Sequence, residues 1–387
     1  MRKGAIDYTL LITTIILIAY GMLMVFSSSY YMAQSSADYD YDGLSLFKKQ
    51  LVGVAVGAVG MIFFMLFDYK KLLRLKYAAL GLAIFTLILV FIPGVGVTIN
   101  GASRWIRMGP LPNIQPLEIA KLAVIIFTAS TIYVNRNRMN TFRYGIVPPF
   151  LVLGVVCLLL YLQPNFSGII LLCVVVFIMV LIGGAKGWHM AALGGGVGAA
   201  GAALMMSASY RMARVTSFLD PFANMSGDGY QVAQSLFGIG AGGLFGSGLG
   251  NGRQKFLWLP YSESDFIFSI ICEELGFIGA AVLILLFIIL IYRGIRIAAQ
   301  APDFFATMLA TGIVVMISVQ VILNIAVTTA SLPATGVSLP FISFGSSSLA
   351  IYMCMIGILL NISKQSRRQA AKKVNVKAAD ADMQEDY

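Results

Sequence analysis

The chain has 387 residues, of which 59% are hydrophobic and only 11% charged, with a net charge of +10. Soluble domains carry about 25% charged residues, so this composition, with a mean hydropathy of +0.86, excludes water-soluble folds and identifies an all-α polytopic membrane protein. The apolar runs are continuous rather than alternating, which excludes a membrane β-barrel.

In chain order, Arg2-Lys3 precede an apolar run from Tyr8 to Phe26 that is too long for an ordinary signal sequence, so it reads as a retained first span. Two stretches carry no Asp, Glu, Lys or Arg: Tyr144–Ala185, 42 residues, and Phe304–Ser363, 60 residues. A span needs about 20 apolar residues, so each stretch folds into two helices, broken at Gln163-Pro164-Asn165 and between Pro333 and Pro340. In all, ten spans are predicted: 8–26, 50–67, 77–92, 118–134, 146–162, 166–182, 190–207, 266–292, 305–327 and 346–362. With the N-terminus inside, the inner segments hold 18 Lys and Arg and the outer ones 8. That bias places both termini in the cytoplasm. Residues 1–363 form the expected membrane domain, and 364–387 a basic tail, expected to be disordered and to face anionic lipid. The positive charge is accounted for by membrane lipid, with no nucleic acid partner.

The run Gly194-Gly195-Gly196-Val197-Gly198 suits close helix packing. Residues 208–265, on the outer side, are too long for a simple connection. Aromatic anchors (Phe218, Phe222, Tyr230, Phe237, Trp258, Tyr261) and eight glycines between Gly238 and Gly252 predict a packed outer subdomain with short helices and a re-entrant segment. The cysteines Cys157, Cys173, Cys272 and Cys354 lie in apolar runs as inert thiols, and the single His189 excludes a His-based metal site.

Candidate chemistry clusters at the predicted outer end. Glu118 and Lys121 share a face at i, i+3 of the fourth span, either as a packing pair or as groups lining a wet cavity. Arg104-Trp105-Ile106-Arg107 either anchors the interface or holds a phosphate and stacks on a sugar. Asp265 stands at the lip of the eighth span, as a helix cap or as a base at the membrane surface. Glu273 and Glu274, deeper in that span, read as structural. The glycine-rich segment permits tight loops or offers backbone N–H groups to a pyrophosphate. Ser343, Ser346, Ser347 and Ser348 line the cavity or cap the last helix.

Several segments, in order over residues ~100 to 363, resemble the shape, elongation, division and sporulation family of bacteria. They are Gly101-Ala102-Ser103-Arg104-Trp105-Ile106, Gln115-Pro116-Leu117-Glu118-Ile119-Ala120-Lys121, Gln163-Pro164-Asn165-Phe166, Phe218-Leu219-Asp220-Pro221, Gly229-Tyr230-Gln231-Val232-Ala233-Gln234-Ser235, Leu259-Pro260 through Asp265-Phe266-Ile267-Phe268 to Glu273-Glu274-Leu275-Gly276, and Pro340-Phe341-Ile342-Ser343-Phe344-Gly345. Gln254-Lys255-Phe256 and Phe218-Leu219-Asp220-Pro221 look nearer the division branch than the elongation branch. The resemblance implies a peptidoglycan glycosyltransferase that polymerises lipid II during cell division. It implies a class B penicillin-binding protein (a transpeptidase) and other divisome proteins as partners. It puts the essential acid at Asp265, with substrate contacts expected at Arg104, Trp105, Gln115, Glu118, Lys121, Gln163, Arg214, Gln234, Ser235 and Ser343. The family commonly has Asp where this chain has Asn165, and Ser where it has Leu117. Inverting transfer needs a base at the acceptor hydroxyl and positive charge on the leaving pyrophosphate, from Arg104, Lys121, Arg214 or a divalent metal, Mg2+ or Mn2+. A lipid II flippase is the alternative. It would need polar groups spread through the bilayer rather than gathered at one face.

Overall fold

In the computed structural model, the described residues are 6–99, 102–109, 111–206, 218, 220–223, 225 and 229–385. The helices are α1 (Tyr8–Gln34), α2 (Ser45–Leu66), α3 (Lys70–Leu89), α4 (Pro116–Val134), α5 (Val147–Leu162), α6 (Phe166–Ile182), α7 (Gly187–Met206), α8 (Tyr230–Gly242), α9 (Ile267–Ala299), α10 (Phe304–Thr328) and α11 (Ser346–Glu385). All ten predicted spans fall on helices, and α8 is a shorter helix between the seventh and eighth of them. Among the described residues, eight helical segments are long and apolar enough to cross a membrane, and α6 is a shorter apolar helix.

Between α3 and α4 lies a small antiparallel sheet that the apolar pattern did not announce: β1 (Gly96–Ile99), β2 (Ala102–Met108) and β3 (Leu111–Ile114), in the order β1-β2-β3. Its strands are only 4 to 7 residues long. The helix of α11 runs on through Glu385. Lys364–Glu385 contains no Gly or Pro and is rich in Ala, Lys, Arg and Gln, all good helix formers, so the backbone continues the preceding helix.

α4 is the centre of the bundle. From Pro116 to Ile132 every residue except Ile119 is buried, as expected of a helix apolar all round. It packs on α3, α6 and α10, while α2 and α11 lie along each other and α1 runs beside α9. Close approach there depends on glycine: a Cβ on Gly57 would meet Met353 Sδ at 2.5 Å, and one on Gly357 would meet Met61 O at 2.4 Å.

The segment from α8 to α9 packs back against α9. Gly276 interrupts α9 at φ 66°, ψ −168°, a conformation suited only to glycine. The interruption frees the amides of Phe277 and Ile278, which donate to Gly243 O and Leu244 O. A Cβ on Gly242 would sit 1.8 Å from Cys272 O. The glycine-rich loop is then pinned by the two acids of α9. Glu273 accepts from the amides of Arg253 (2.7 Å) and Gln254, and Glu274 accepts from Gly250 N (3.1 Å). Glu274 also pairs with Lys255 at 2.6 Å and accepts from Ser27 Oγ of α1. The loop is therefore built for tight packing, and Glu273 and Glu274 are structural.

Breaking a buried pair by removing one partner costs about 3–5 kcal/mol, whereas replacing both with apolar groups is often neutral. Lys255→Met should lower the thermal unfolding midpoint in detergent sharply, and Lys255→Met with Glu274→Met should recover most of the loss. An unchanged midpoint for Lys255→Met would contradict the pinning role.

Candidate active site

One end of the bundle gathers the C-terminal ends of α1, α3, α5 and α10 and the N-terminal ends of α2, α4, α6, α9 and α11, with the sheet and α8. Hydrogen bonds knit these ends together. Gln50 of α2 donates to Ser343 O and accepts from Gly345 N, and Ser346 Oγ donates to Lys49 O. Gln163 Nε2 donates to Leu87 O at 2.8 Å, bracing α5 on α3.

Two turns into the bundle lies a buried polar cluster. Lys121 Nζ stands 2.6 Å from Glu118 Oε2, and the two side chains are 1% and 4% exposed. The ammonium also donates to Gln320 Oε1 of α10 and Tyr352 OH of α11, both at 3.1 Å, and lies 4.8 Å from the Tyr352 ring centroid. Tyr352 OH donates to Gln320 Oε1 as well, and Gln320 Nε2 donates to Ser338 O. The ammonium has an ion-pair partner in Glu118 and hydrogen-bond partners in Gln320 and Tyr352. Lys121 thus joins α4, α10 and α11.

Asp265 sits above this cluster. α9 begins with Phe266 as its N-cap, and no side chain accepts a hydrogen bond there, so the Asp265 carboxylate is not a helix cap. It lies against the 332–345 connection: Oδ2 is 3.3 Å from where a Cβ on Gly336 would stand, and Gly336 has φ +67°. Any side chain at 336 would be strained and would crowd the carboxylate. Desolvation pushes the Asp265 carboxyl up to about 6, against the lowering influence of Arg104. Glu263 is pushed up to about 7, by desolvation and by the charge of Asp265. Glu263 therefore shares the pocket of Asp265, whereas nothing in the sequence suggested that it faces the cavity.

Arg104 reaches over from β2, donating through Nε to Gln163 O at 3.4 Å and through its terminal nitrogen to Pro164 O. Trp105, half-buried, faces Val97 across the sheet. The Gln115 amide donates to Ser347 Oγ at 3.3 Å. Asn165, in place of an acid, caps α6 by accepting from Gly168 N, a neutral role that needs no charge.

Two expected substrate contacts are committed to the protein. Ser343 Oγ donates to Ser264 O (2.6 Å) and accepts from Leu339 N (2.7 Å). Ser235 Oγ donates to Thr328 O and is hydrogen-bonded to Ser269. Gln234 is buried beside Ser235 in α8. Arg214 lies outside the described residues. The sequence reading missed Gln320, Asn324 and Tyr352. The first two were detectable as polar residues at i, i+4 within an apolar run, which belong on an interior face.

The described residues contain no convergence of three or more His, Cys, Asp or Glu side chains, so they do not fit a divalent cation caged by protein ligands. An apolar recess of about 580 Å³ opens between α8 and α9, lined by Ile239, Phe268, Cys272, Phe277 and Ile284 among others.

Lys121→Met leaves Glu118 buried without its counter-charge and should cost several kcal/mol of stability. Adding Glu118→Gln should restore much of it. Thermal unfolding of the three proteins checks this, and equal midpoints for the single and double variants would contradict the coupling.

The sequence profile of the cell cycle proteins FtsW, RodA and SpoVE matches residues 8–368. Stage V sporulation protein E of Bacillus subtilis (strain 168) is 41% identical over 368 residues, 95% of this chain and 99% of that protein. The probable peptidoglycan glycosyltransferase FtsW of Geobacter sp. (strain M18) is 38% identical over 369 residues, 95% and 100% of the two chains. Among solved structures, a chain of a peptidoglycan synthase complex, described as coordinating polymerization and crosslinking, superposes with a TM-score of 0.75 at 26% identity, over 94% of this chain and 98% of that one. The rod shape determining protein RodA of Thermus thermophilus gives 0.67 at the same identity and coverage. By profile, sequence and fold together, the chain belongs to the cell cycle protein family of FtsW, RodA and SpoVE.

Proposed function

We propose that this protein is a peptidoglycan glycosyltransferase that polymerises lipid II into glycan strands at the outer face of the bacterial cytoplasmic membrane. Two of the relatives are named probable peptidoglycan glycosyltransferase FtsW. The observation that carries the reading to this chain is Asp265, a desolvated carboxylate that caps no helix and lies at the end of the bundle where the irregular segments meet.

The reaction displaces a polyprenyl pyrophosphate from an anomeric carbon. The acceptor 4-hydroxyl forms the new C–O bond, the bond from anomeric carbon to pyrophosphate oxygen breaks, and the configuration inverts. Asp265 takes the hydroxyl proton as general base. A carboxylate with a raised pKa is a stronger base than an exposed one, while remaining ionised above about pH 6. The leaving pyrophosphate takes the electron pair and needs positive charge. Arg104 supplies it from β2. Lys121 acts indirectly, by fixing α4 against α10 and α11. The apolar recess between α8 and α9 suits the lipid chain.

Ten spans with both termini in the cytoplasm put Asp265 and Arg104 on the outer side, where the lipid-linked sugar is displayed. The 18-to-8 division of Lys and Arg supports that orientation. The partner is a class B penicillin-binding protein, and the similarity to a chain of a peptidoglycan synthase complex supports it. Work within the division machinery, at the septum, follows from the likeness to FtsW. The 41% identity to a sporulation protein supports a second placement, in spore formation, with the same chemistry. Transport of the same lipid is less well supported. Among the described residues, α10 is buried and apolar between its two polar ends, at Met308, Leu309, Ile313, Met316 and Ile317.

Purified protein incubated with labelled lipid II should make glycan strands, read as a ladder on a gel. The initial rate should fall as pH drops through about 6, because protonated Asp265 has no basicity. No polymer, with or without the transpeptidase, would contradict the reading. For orientation, single cysteines at Ala37 and Ser331 should react with an impermeant maleimide on intact cells, and those at Asn140 and Gln369 should not. Outside labelling at Asn140 would overturn the ten-span arrangement.

A further inference from the structure

On α10, Gln320, Asn324 and Thr328 stand at i, i+4 and i+8, one face of the helix, and all three are buried. Gln320 belongs to the Lys121 cluster. Asn324 does something different. Its amide nitrogen donates to Asp265 O at 2.8 Å and to Val337 O at 2.7 Å. One buried amide thereby joins two irregular segments, the approach to α9 that carries Asp265 and the 332–345 connection that carries Gly336. Both N–H groups are used, and the amide oxygen is buried without a partner. Leaving an acceptor unpaired costs stability, so the orientation of this amide is set by the two carbonyls.

The same two segments are held from the other side. Ser343 Oγ donates to Ser264 O, and Phe344 N donates to Glu263 O at 2.9 Å. The residues flanking Asp265 are therefore tied to 332–345 at three consecutive carbonyls, Glu263, Ser264 and Asp265. Of these ties, only that of Asn324 comes from the regular helix α10, four residues from the group that meets Lys121.

We propose that Asn324 is a positioning residue for the transfer reaction, fixing the Asp265 carboxylate against the 332–345 connection through the Asp265 backbone. The proposal rests on the polymerase reading above. Asn324 does not touch substrate. It holds the base in register with the Lys121 cluster, so that α4, α10 and the approach to α9 move as one piece. The charged group that bears on Asp265 is Arg104 from β2, and Asp265 in turn bears on Glu263 of its own segment, which bears on Tyr39 of the α1–α2 connection.

The test is the initial rate of polymerisation of lipid II against pH, between pH 5 and 8, for wild type, Asn324→Leu, Asn324→Ser and Thr328→Val, at matched membrane levels. Asn324→Leu fills the space without a donor. Asn324→Ser keeps one short donor that cannot bridge both carbonyls, and it serves if the leucine variant does not fold. Thr328→Val alters the next polar position of α10 and leaves the backbone carbonyl that Ser235 uses. Misplacing a catalytic group by about 1 Å can cost about 10²-fold, so both Asn324 variants should lose rate on that order. Their acid limb should also move to lower pH, because a loosened Asp265 is reached by water. Thr328→Val should keep both the rate and the limb. A wild-type rate in the Asn324 variants, or a lower rate with an unmoved acid limb, would make Asn324 a packing residue only and overturn the proposal. An inactive wild type would instead overturn the polymerase reading, and this inference with it.

Discussion

A charge inside a membrane bundle must be paired there, and the Glu118–Lys121 pair sets the terms for the half of the bundle that carries Asp265. Lys121 is 1% exposed, and its partners come from three helices. Removing any one partner leaves an uncompensated polar group in a low-dielectric interior. The cluster therefore fixes α4, α10 and α11 relative to one another more sharply than apolar packing does. A second pair, Lys255–Glu274, does the same for α1 and the segment from α8 to α9. A third ties the opposite end: Asp7 caps α1, pairs with Arg293 of α9 and lies 3.6 Å from Arg367 of α11. Ionic contacts thus stand at the ends of the bundle, with apolar packing between them.

The end that carries Asp265 differs from the opposite end in what it leaves available. At the opposite end, Asp7 is consumed as a cap and an ion-pair partner, Asp303 caps α10 and accepts from Tyr69 OH, and the polar groups serve the fold. At the Asp265 end, the backbone around that residue is tied down by Asn324, Ser343 and Phe344 while its carboxylate is not used as a cap. A rigid backbone under a desolvated acid is the arrangement a general base requires. The glycine at 336 leaves room for it.

The helices were legible because runs of 16 to 27 largely apolar residues with polar breaks admit few other structures in a membrane. Glu118 and Lys121 were legible for a related reason, since charges in an apolar run must face inward. Asp265 was ambiguous from its own surroundings. A carboxylate just before a helix is more often a cap, and only the absence of a capping bond in the folded chain separates the two readings. Ser235 and Ser343 share this difficulty: a hydroxyl at a helix end suits a substrate or a backbone carbonyl equally, and here the carbonyls have them. Gln320 and Asn324, at i, i+4 in an apolar run, mark an interior face, but that spacing does not say what Asn324 holds. Its role depends on two carbonyls at residues 265 and 337 that only tertiary structure brings together. The small sheet was missed because its strands are too short to show a period.

The central claim is that the charge of Asp265, rather than its shape, performs the chemistry. Asp265→Asn keeps the size and the backbone that Asn324 holds but cannot accept a proton. The decisive measurement is strand formation from lipid II by purified Asp265→Asn, beside wild type of equal stability and equal binding of its transpeptidase partner. The account predicts a folded, partner-competent protein that makes no strands. Substantial polymer from Asp265→Asn would contradict it, and the base would then have to be another group at the same end of the bundle.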